Sequence, residues 1–68
     1  MIIRLTIERD GAGFRARISK RDEEGNGLIG RPEIFLADSK EEAKKRAKDM
    51  ARAFGLKTYR VVDKTLKV

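Results

Sequence analysis

Two segments near the start of the chain alternate between apolar and polar residues. This period of two residues is typical of half-buried antiparallel strands, and it covers residues 1–9 and 14–21. The apolar positions are Ile3, Leu5, Ile7, Phe14, Ala16 and Ile18. The intervening DGAG is a turn sequence. We therefore predict a β-hairpin in which Ile7 lies opposite Ala16 and Glu8 opposite Arg15.

A third strand is predicted over residues 33–37, after a turn at residues 22–27 and an irregular Gly-Arg-Pro. In this strand we expect Ile34 and Leu36 to face the core and Glu33 and Phe35 to face away from it. Pro32 lacks an amide donor, which favours a position at the edge of a sheet.

The segment from Asp38 to Leu56 predicts an amphipathic helix. Its apolar residues recur every three or four positions, as on one helical face. They are Ala43, Ala47, Met50, Ala51 and Phe54. Asp38 or Ser39 is a suitable N-cap, and Gly55 suits a left-handed residue that ends the helix. Only one side of this helix should be buried.

A fourth strand is predicted over residues 58–62, which are β-branched and aromatic, with Tyr59 and Val61 pointing inward. The alternation breaks at Asp63 and Lys64, so a bulge or tight turn is expected there before a short terminal strand from Leu66 to Val68.

These elements predict an α+β fold in a single domain, residues 1–68, with the order βββαβ. Three antiparallel strands form a meander, and the helix crosses over so that the fourth strand lies parallel to the first, in the spatial order 3-2-1-4. One face of the sheet packs on the helix. The opposite face is expected to carry Arg4, Thr6, Glu8, Arg15, Arg17, Ser19, Arg21, Glu33, Phe35, Arg60 and Val62.

The side-chain types present in the chain exclude several classes of enzyme and metal site. The chain contains neither cysteine nor histidine, which removes thiol nucleophiles, imidazole bases and the usual zinc sites. We expect no enzymatic activity, no cofactor and no metal site. The apolar start, Met1 to Ile3, is too short for a signal peptide or a membrane span, which favours a cytoplasmic protein with no membrane partner.

Charge favours an anionic partner. Seventeen Lys and Arg residues against eleven Asp and Glu give a net charge of +6, which attracts DNA, another polyanion or an acidic protein surface. The predicted binding residues are Arg4, Arg15, Arg17, Arg21, Phe35 and Arg60. Arginine forks bind phosphates and guanine edges, and an exposed phenylalanine indicates a contact surface. The alternative is that the arginines only pair across strands and cover the sheet.

Two stretches, FRARISKRDEEGNG and IFLADSKEEAKKRAKDMA, resemble the arm-site DNA-binding domains of phage-type tyrosine recombinases. The resemblance covers residues 14–51 approximately. It implies a sheet that enters the major groove of DNA, with contacts made by Arg15, Arg17 and Arg21.

A second resemblance covers more of the chain. LTIERDGAGFRARI and ADSKEEAKKRAKDMA are similar to the N-terminal domain of HicB-type antitoxins, which implies a protein-interaction module of antitoxin or phage-inhibitor type. In this alternative Phe35 anchors the contact. The strand order is also that of the ribonuclease H core, which makes Asp10, Glu42 and Asp63 a magnesium set to consider. Asp10 and Asp63 have simpler explanations as turn residues.

Two further alternatives stay open. The chain lacks glutamine as well as His, Cys and Trp, and its turns and helix ends are regular, as in a de novo designed protein with no natural function. The small core also favours a homodimer. Pairing through an edge strand, the third or the fourth, leaves the arginines in water, whereas stacking of two open faces brings them together.

Overall fold

The computed structural model describes residues 1–22 and 27–66. Its elements are β1 (Ile2–Asp10), β2 (Gly13–Arg21), β3 (Glu33–Ala37), α1 (Lys40–Ala53) and β4 (Arg60–Asp63). The four strands form one sheet in the order β3-β2-β1-β4. β1 is parallel to β4 and antiparallel to β2, and β2 is antiparallel to β3. The predicted α+β fold and strand order are confirmed.

The hairpin of β1 and β2 has the predicted register. Ile7 lies opposite Ala16, and Glu8 lies opposite Arg15. The strands extend further into the loop than the sequence suggested, because Asp10 pairs with Gly13. Gly11 has a φ of +60°, so a two-residue loop closes the hairpin at a position where glycine carries no steric penalty.

Helix α1 begins and ends as its sequence indicates. The Ser39 hydroxyl accepts a hydrogen bond from the Glu42 amide at 3.2 Å, and Glu42 Oε2 accepts one from the Asp38 amide at 3.0 Å. At the other end, Gly55 takes a φ of +74°. The Leu56 amide then donates to the Ala51 carbonyl at 2.8 Å. This pair of features is a Schellman motif, which satisfies the last carbonyls of the helix.

The core lies between α1 and the sheet. Its buried members are Ile3, Leu5, Ile7, Ala16, Ile18, Ala37, Ala43, Ala47 and Ala51. Phe14, Phe35, Met50, Leu56 and Tyr59 pack against them and are partly buried. Because the helix contributes only alanines to the fully buried set, its axis can approach the sheet closely and the isoleucines and leucine of the strands fill the space.

The predicted orientation of β3 is wrong. Ile34 is 60% exposed and Leu36 is 70% exposed, whereas Phe35 packs against the core. The register explains the inversion, because Phe35 lies opposite the buried Ala16 and therefore shares its face. Glu33 lies on the same helix side, where it meets Arg46. The edge position of β3, by contrast, is as predicted.

The outer strand β4 is less covered than expected. Val61 lies opposite Leu5 on the helix side but is 41% exposed, because α1 packs mainly over β1. Phe54 is also half exposed, just beyond the helix. β4 ends at Asp63, where the predicted tight turn occurs: Asp63 Oδ1 accepts hydrogen bonds from the Thr65 amide and hydroxyl.

The predicted terminal strand falls largely on residues 67–68, which lie outside the described residues; Leu66 itself is in no strand. Within the part of the chain that the structure describes, no helix is long and apolar enough to cross a membrane.

Candidate functional site

The sheet face opposite α1 is covered by no helix or strand among the described residues, and we call it the open face. Its members follow from the strand register and from the alternation of side chains along each strand. They are Ile2, Arg4, Thr6, Glu8, Asp10, Gly13, Arg15, Arg17, Ser19, Arg21, Ile34, Leu36, Arg60 and Val62. Five of these fourteen residues are arginines, and two are acidic. The open face is therefore predominantly cationic.

The strand register arranges these residues in rows across the sheet. One row runs from Leu36 on β3 through Arg15 on β2 to Glu8 on β1. The next contains Ile34, Arg17, Thr6 and Val62, so that an apolar residue closes the row at each edge of the sheet. Arg15 and Arg17 thus lie in the interior of the face, with Ile34 and Leu36 on one edge and Val62 on the other.

Arg4 lies at the centre of the adjoining row. It is opposite Ser19 on one side and opposite Arg60 on the parallel strand. Arg21 extends the same face toward the far end of β2. All five predicted arginines are therefore brought to one face, and two of them, Arg4 and Arg60, lie side by side on neighbouring strands.

Two small hydroxyl residues of the open face are buried. Thr6 is 6% exposed and Ser19 is 1% exposed, although no helix lies over this side. The aliphatic stems of neighbouring arginines are suited to cover such small residues. The Ser19 hydroxyl has no hydrogen-bond partner among the described residues. The open face is thus a layer of long cationic side chains over a close-packed sheet.

Two carboxylates of β1 share the open face with the arginines. They are Glu8 and Asp10, whereas Glu33, which was expected on the open face, lies on the helix side. Glu8 Oε1 is 3.5 Å from Lys64 Nζ, and Arg15 Nη2 is 3.5 Å from Asp10 Oδ2. All four of these side chains are between 41% and 58% exposed, so these pairs are weak and water competes for them.

Phe35, predicted as a contact residue, is absent from the open face. Its ring lies on the helix side, with the Arg46 guanidinium 4.5 Å from the ring centroid. The exposed apolar residues that β3 presents on the open face are instead Ile34 and Leu36. The sequence signal was ambiguous, because Ile34 to Ala37 are four consecutive apolar residues and a period of two cannot select between them.

The exposed basic residues of α1 lie away from the open face. Lys44, Lys45, Lys48 and Arg52 are exposed on α1, on the side of the sheet opposite the open face. Asp63 is held by Lys40, with Nζ and Oδ2 2.8 Å apart. Asp10, Glu42 and Asp63 do not assemble, and no group of three side chains suited to a metal occurs in the described ranges.

Comparisons with protein-family models, with curated proteins and with solved structures found no match for this chain. The arrangement of the open face is therefore the basis for assigning a function.

Proposed function

We propose that this domain binds duplex DNA through the open face and catalyses no reaction. The observation that carries the proposal is the charge of that face, which has five arginines and two carboxylates, those of Glu8 and Asp10. A cationic surface of this kind gains affinity by displacing counterions from the phosphate backbone. Arginine also suits base edges, because its planar fork matches the two acceptors of guanine.

Part of the four-stranded sheet suits the major groove. Neighbouring strands lie about 4.8 Å apart, so the three strands β3, β2 and β1 span about 10 Å between the outer axes. The major groove of B-form DNA is about 12 Å wide and admits a two-stranded ribbon, so β2 enters it together with one neighbouring strand. Arg15 and Arg17 project from the middle strand of these three, where they would lie deepest in the groove.

The placement of aromatic residues favours duplex over single-stranded nucleic acid. Proteins that bind single strands stack the bases on aromatic side chains. Phe14, Phe35 and Tyr59 pack against the core beneath α1, and Phe54 follows the helix end. None of the described aromatic residues is on the open face. Bases therefore cannot stack on aromatic rings there, which leaves contacts of the arginines with phosphates and with base edges in the groove.

Fluorescence anisotropy with a labelled DNA duplex at low and moderate salt tests the proposal. Arg15→Ala with Arg17→Ala should weaken binding at least about tenfold, because both side chains occupy the middle of the open face. The matched control is Lys44→Ala with Lys48→Ala, which removes the same charge from the opposite side of the molecule. Failure of the wild type to bind at low salt, or equal losses in both variants, would overturn the proposal.

A second candidate function is the binding of an acidic protein surface. It is supported by the exposed Ile34 and Leu36, since apolar residues beside arginines are typical of protein contacts. Polyglutamate at matched charge serves as the acidic polypeptide probe. Competition by polyglutamate as effective as competition by duplex DNA favours this candidate, whereas DNA competition alone favours the first.

A further inference from the structure

The edge strand β3 has an unusual composition for an exposed position. It lies at one end of the order β3-β2-β1-β4, and its outer side has no partner strand among residues 1–22 and 27–66. Exposed edges are ordinarily protected by charge, because their unpaired amides and carbonyls recruit further strands. On its open-face side β3 presents instead Ile34 and Leu36, which are 60% and 70% exposed.

We propose that β3 pairs with β3 of a second copy of this chain, in an antiparallel and symmetric arrangement. Two copies related by a two-fold axis perpendicular to the sheet place equivalent faces on the same side. Opposed residues must then belong to the same face, so their numbers sum to an even value. The register centred on Phe35 meets this condition and uses the whole of β3.

In that register the opposed side chains on the open face are aliphatic on both strands. Ile34 lies opposite the partner's Leu36, and Leu36 opposite the partner's Ile34, which creates a four-residue aliphatic cluster across the joint. Phe35 lies opposite the partner's Phe35 on the helix side, and each Glu33 keeps its own Arg46 at 2.6 Å. Pro32 precedes the first residue of β3 and lies outside the five-residue ladder, so its missing amide costs no hydrogen bond.

The other edge of the sheet is less suited to pairing. β4 has only four residues and ends in the turn at Asp63. Centred on Val62, a symmetric pairing opposes Arg60 and the partner's Lys64, which are like charges. Centred on Val61, it opposes Arg60 and the partner's Val62 and forms no aliphatic cluster on the open face. β3 is therefore the edge that fits a second copy.

Charge also favours pairing at β3 over stacking of two open faces. Stacking brings five arginines from each copy together. Pairing at β3 separates Arg15 and Arg17 from their equivalents by three strand spacings, roughly 14 Å. This exceeds the Debye length of about 8 Å at physiological ionic strength, so the two arginine clusters repel each other weakly.

Sedimentation across the micromolar range, without nucleic acid, tests the proposal independently of DNA binding. The wild type should shift from monomer to dimer, and Leu36→Lys should weaken the association at least about tenfold, because the lysine meets an aliphatic side chain. Val62→Lys is the matched control on the opposite edge of the same face. A wild type that stays monomeric, or a Val62→Lys variant weakened as much as Leu36→Lys, would overturn the proposal.

Cross-linking tests the register itself, because the chain contains no cysteine of its own. Disulfides require Cα atoms about 4.4–6.8 Å apart, which opposed positions satisfy, whereas diagonal positions lie about 7–8 Å apart. A mixture of the Ile34→Cys and Leu36→Cys proteins should therefore oxidise to a mixed covalent dimer faster than either protein alone. Equal rates in all three samples, or a preference for either homodimer, would refute this register. Circular dichroism confirms that each variant is folded.

Discussion

Lys40 Nζ lies 2.8 Å from Asp63 Oδ2, and this ion pair joins the first residue of α1 to the last residue of β4. Both side chains are partly sheltered, at 27% and 15% exposed. Lysine at the start of a helix is unfavourable because it meets the positive end of the helix dipole. The Asp63 carboxylate offsets that positive charge. Its second oxygen, Oδ1, accepts hydrogen bonds from the amide and the hydroxyl of Thr65. The Asp63 carboxylate thus connects the start of α1 with the turn that follows β4.

The first prediction concerns acid stability. The hydrogen bonds from Lys40 and then Thr65 hold the pKa of Asp63 at about 2, below its usual value of 3.8. A lowered folded-state pKa stabilises the protein above the unfolded-state value, and this contribution is lost as the pH falls from about 4 to about 2. Asp63→Asn should therefore lower the Tm at pH 7, and the difference from the wild type should shrink as the pH approaches 2.

Thermal unfolding followed by circular dichroism at several pH values measures this effect. Asp49→Asn is the control, since Asp49 is exposed on α1, and its Tm difference from the wild type should change less with pH. A Tm difference for Asp63→Asn that is the same at pH 7 and pH 2.5 would show that the ion pair contributes nothing through the charge of Asp63.

The second prediction concerns the contacts that Arg46 of α1 makes with β3. Arg46 lies 4.5 Å from the Phe35 ring centroid and donates to Glu33 Oε1 at 2.6 Å. Arg46→Ala removes both contacts and uncovers the ring, which should lower the free energy of unfolding by about 1 kcal/mol. Urea denaturation measures the change, with Lys45→Ala as the neighbouring exposed control. Equal effects of the two substitutions would mean that the contacts of Arg46 with Phe35 and Glu33 do not stabilise the protein.

The third prediction concerns the end of α1. Gly55 has a φ of +74°, and a Cβ added there meets nothing within 4 Å, so a side chain is opposed only by the backbone conformation. Gly55→Ala should cost about 1 kcal/mol of stability. Gly55→Asn should cost less, because asparagine tolerates the left-handed region better. A Tm for Gly55→Ala equal to that of the wild type would contradict this account of the helix end.

The fourth prediction extends the proposed DNA contact to its salt dependence. Each phosphate that a basic side chain neutralises contributes about 0.9 to the slope of log K against log salt concentration. Arg4→Ala with Arg60→Ala removes the adjacent pair on β1 and β4 and should reduce that slope by up to about 2 if both side chains contact phosphates. Binding titrations at four salt concentrations measure it. A loss of affinity with an unchanged slope would assign these arginines to base contacts instead.

Most of the fold follows from local patterns in the sequence. The hairpin register was predictable because alternation and the short turn agree on which residues oppose each other, as with Ile7 and Ala16. The helix was predictable because its alanine spacing, its Ser39 cap and Gly55 all indicate the same bounds. The gathering of the five arginines on one face followed directly from those two strands and the parallel pairing of β4.

Only the tertiary structure decided the orientation of β3. The run from Ile34 to Ala37 is apolar at every position, so local alternation supports either face equally. The packing of Phe35 beside Ala16, together with the Arg46 side chain that reaches it from α1, selects one of the two. These contacts join residues that are distant along the chain, and no local pattern encodes them. The same choice turned Glu33 away from the arginines and exposed Ile34 and Leu36 at the edge, so the charge and the apolar rim of the open face both depend on long-range packing.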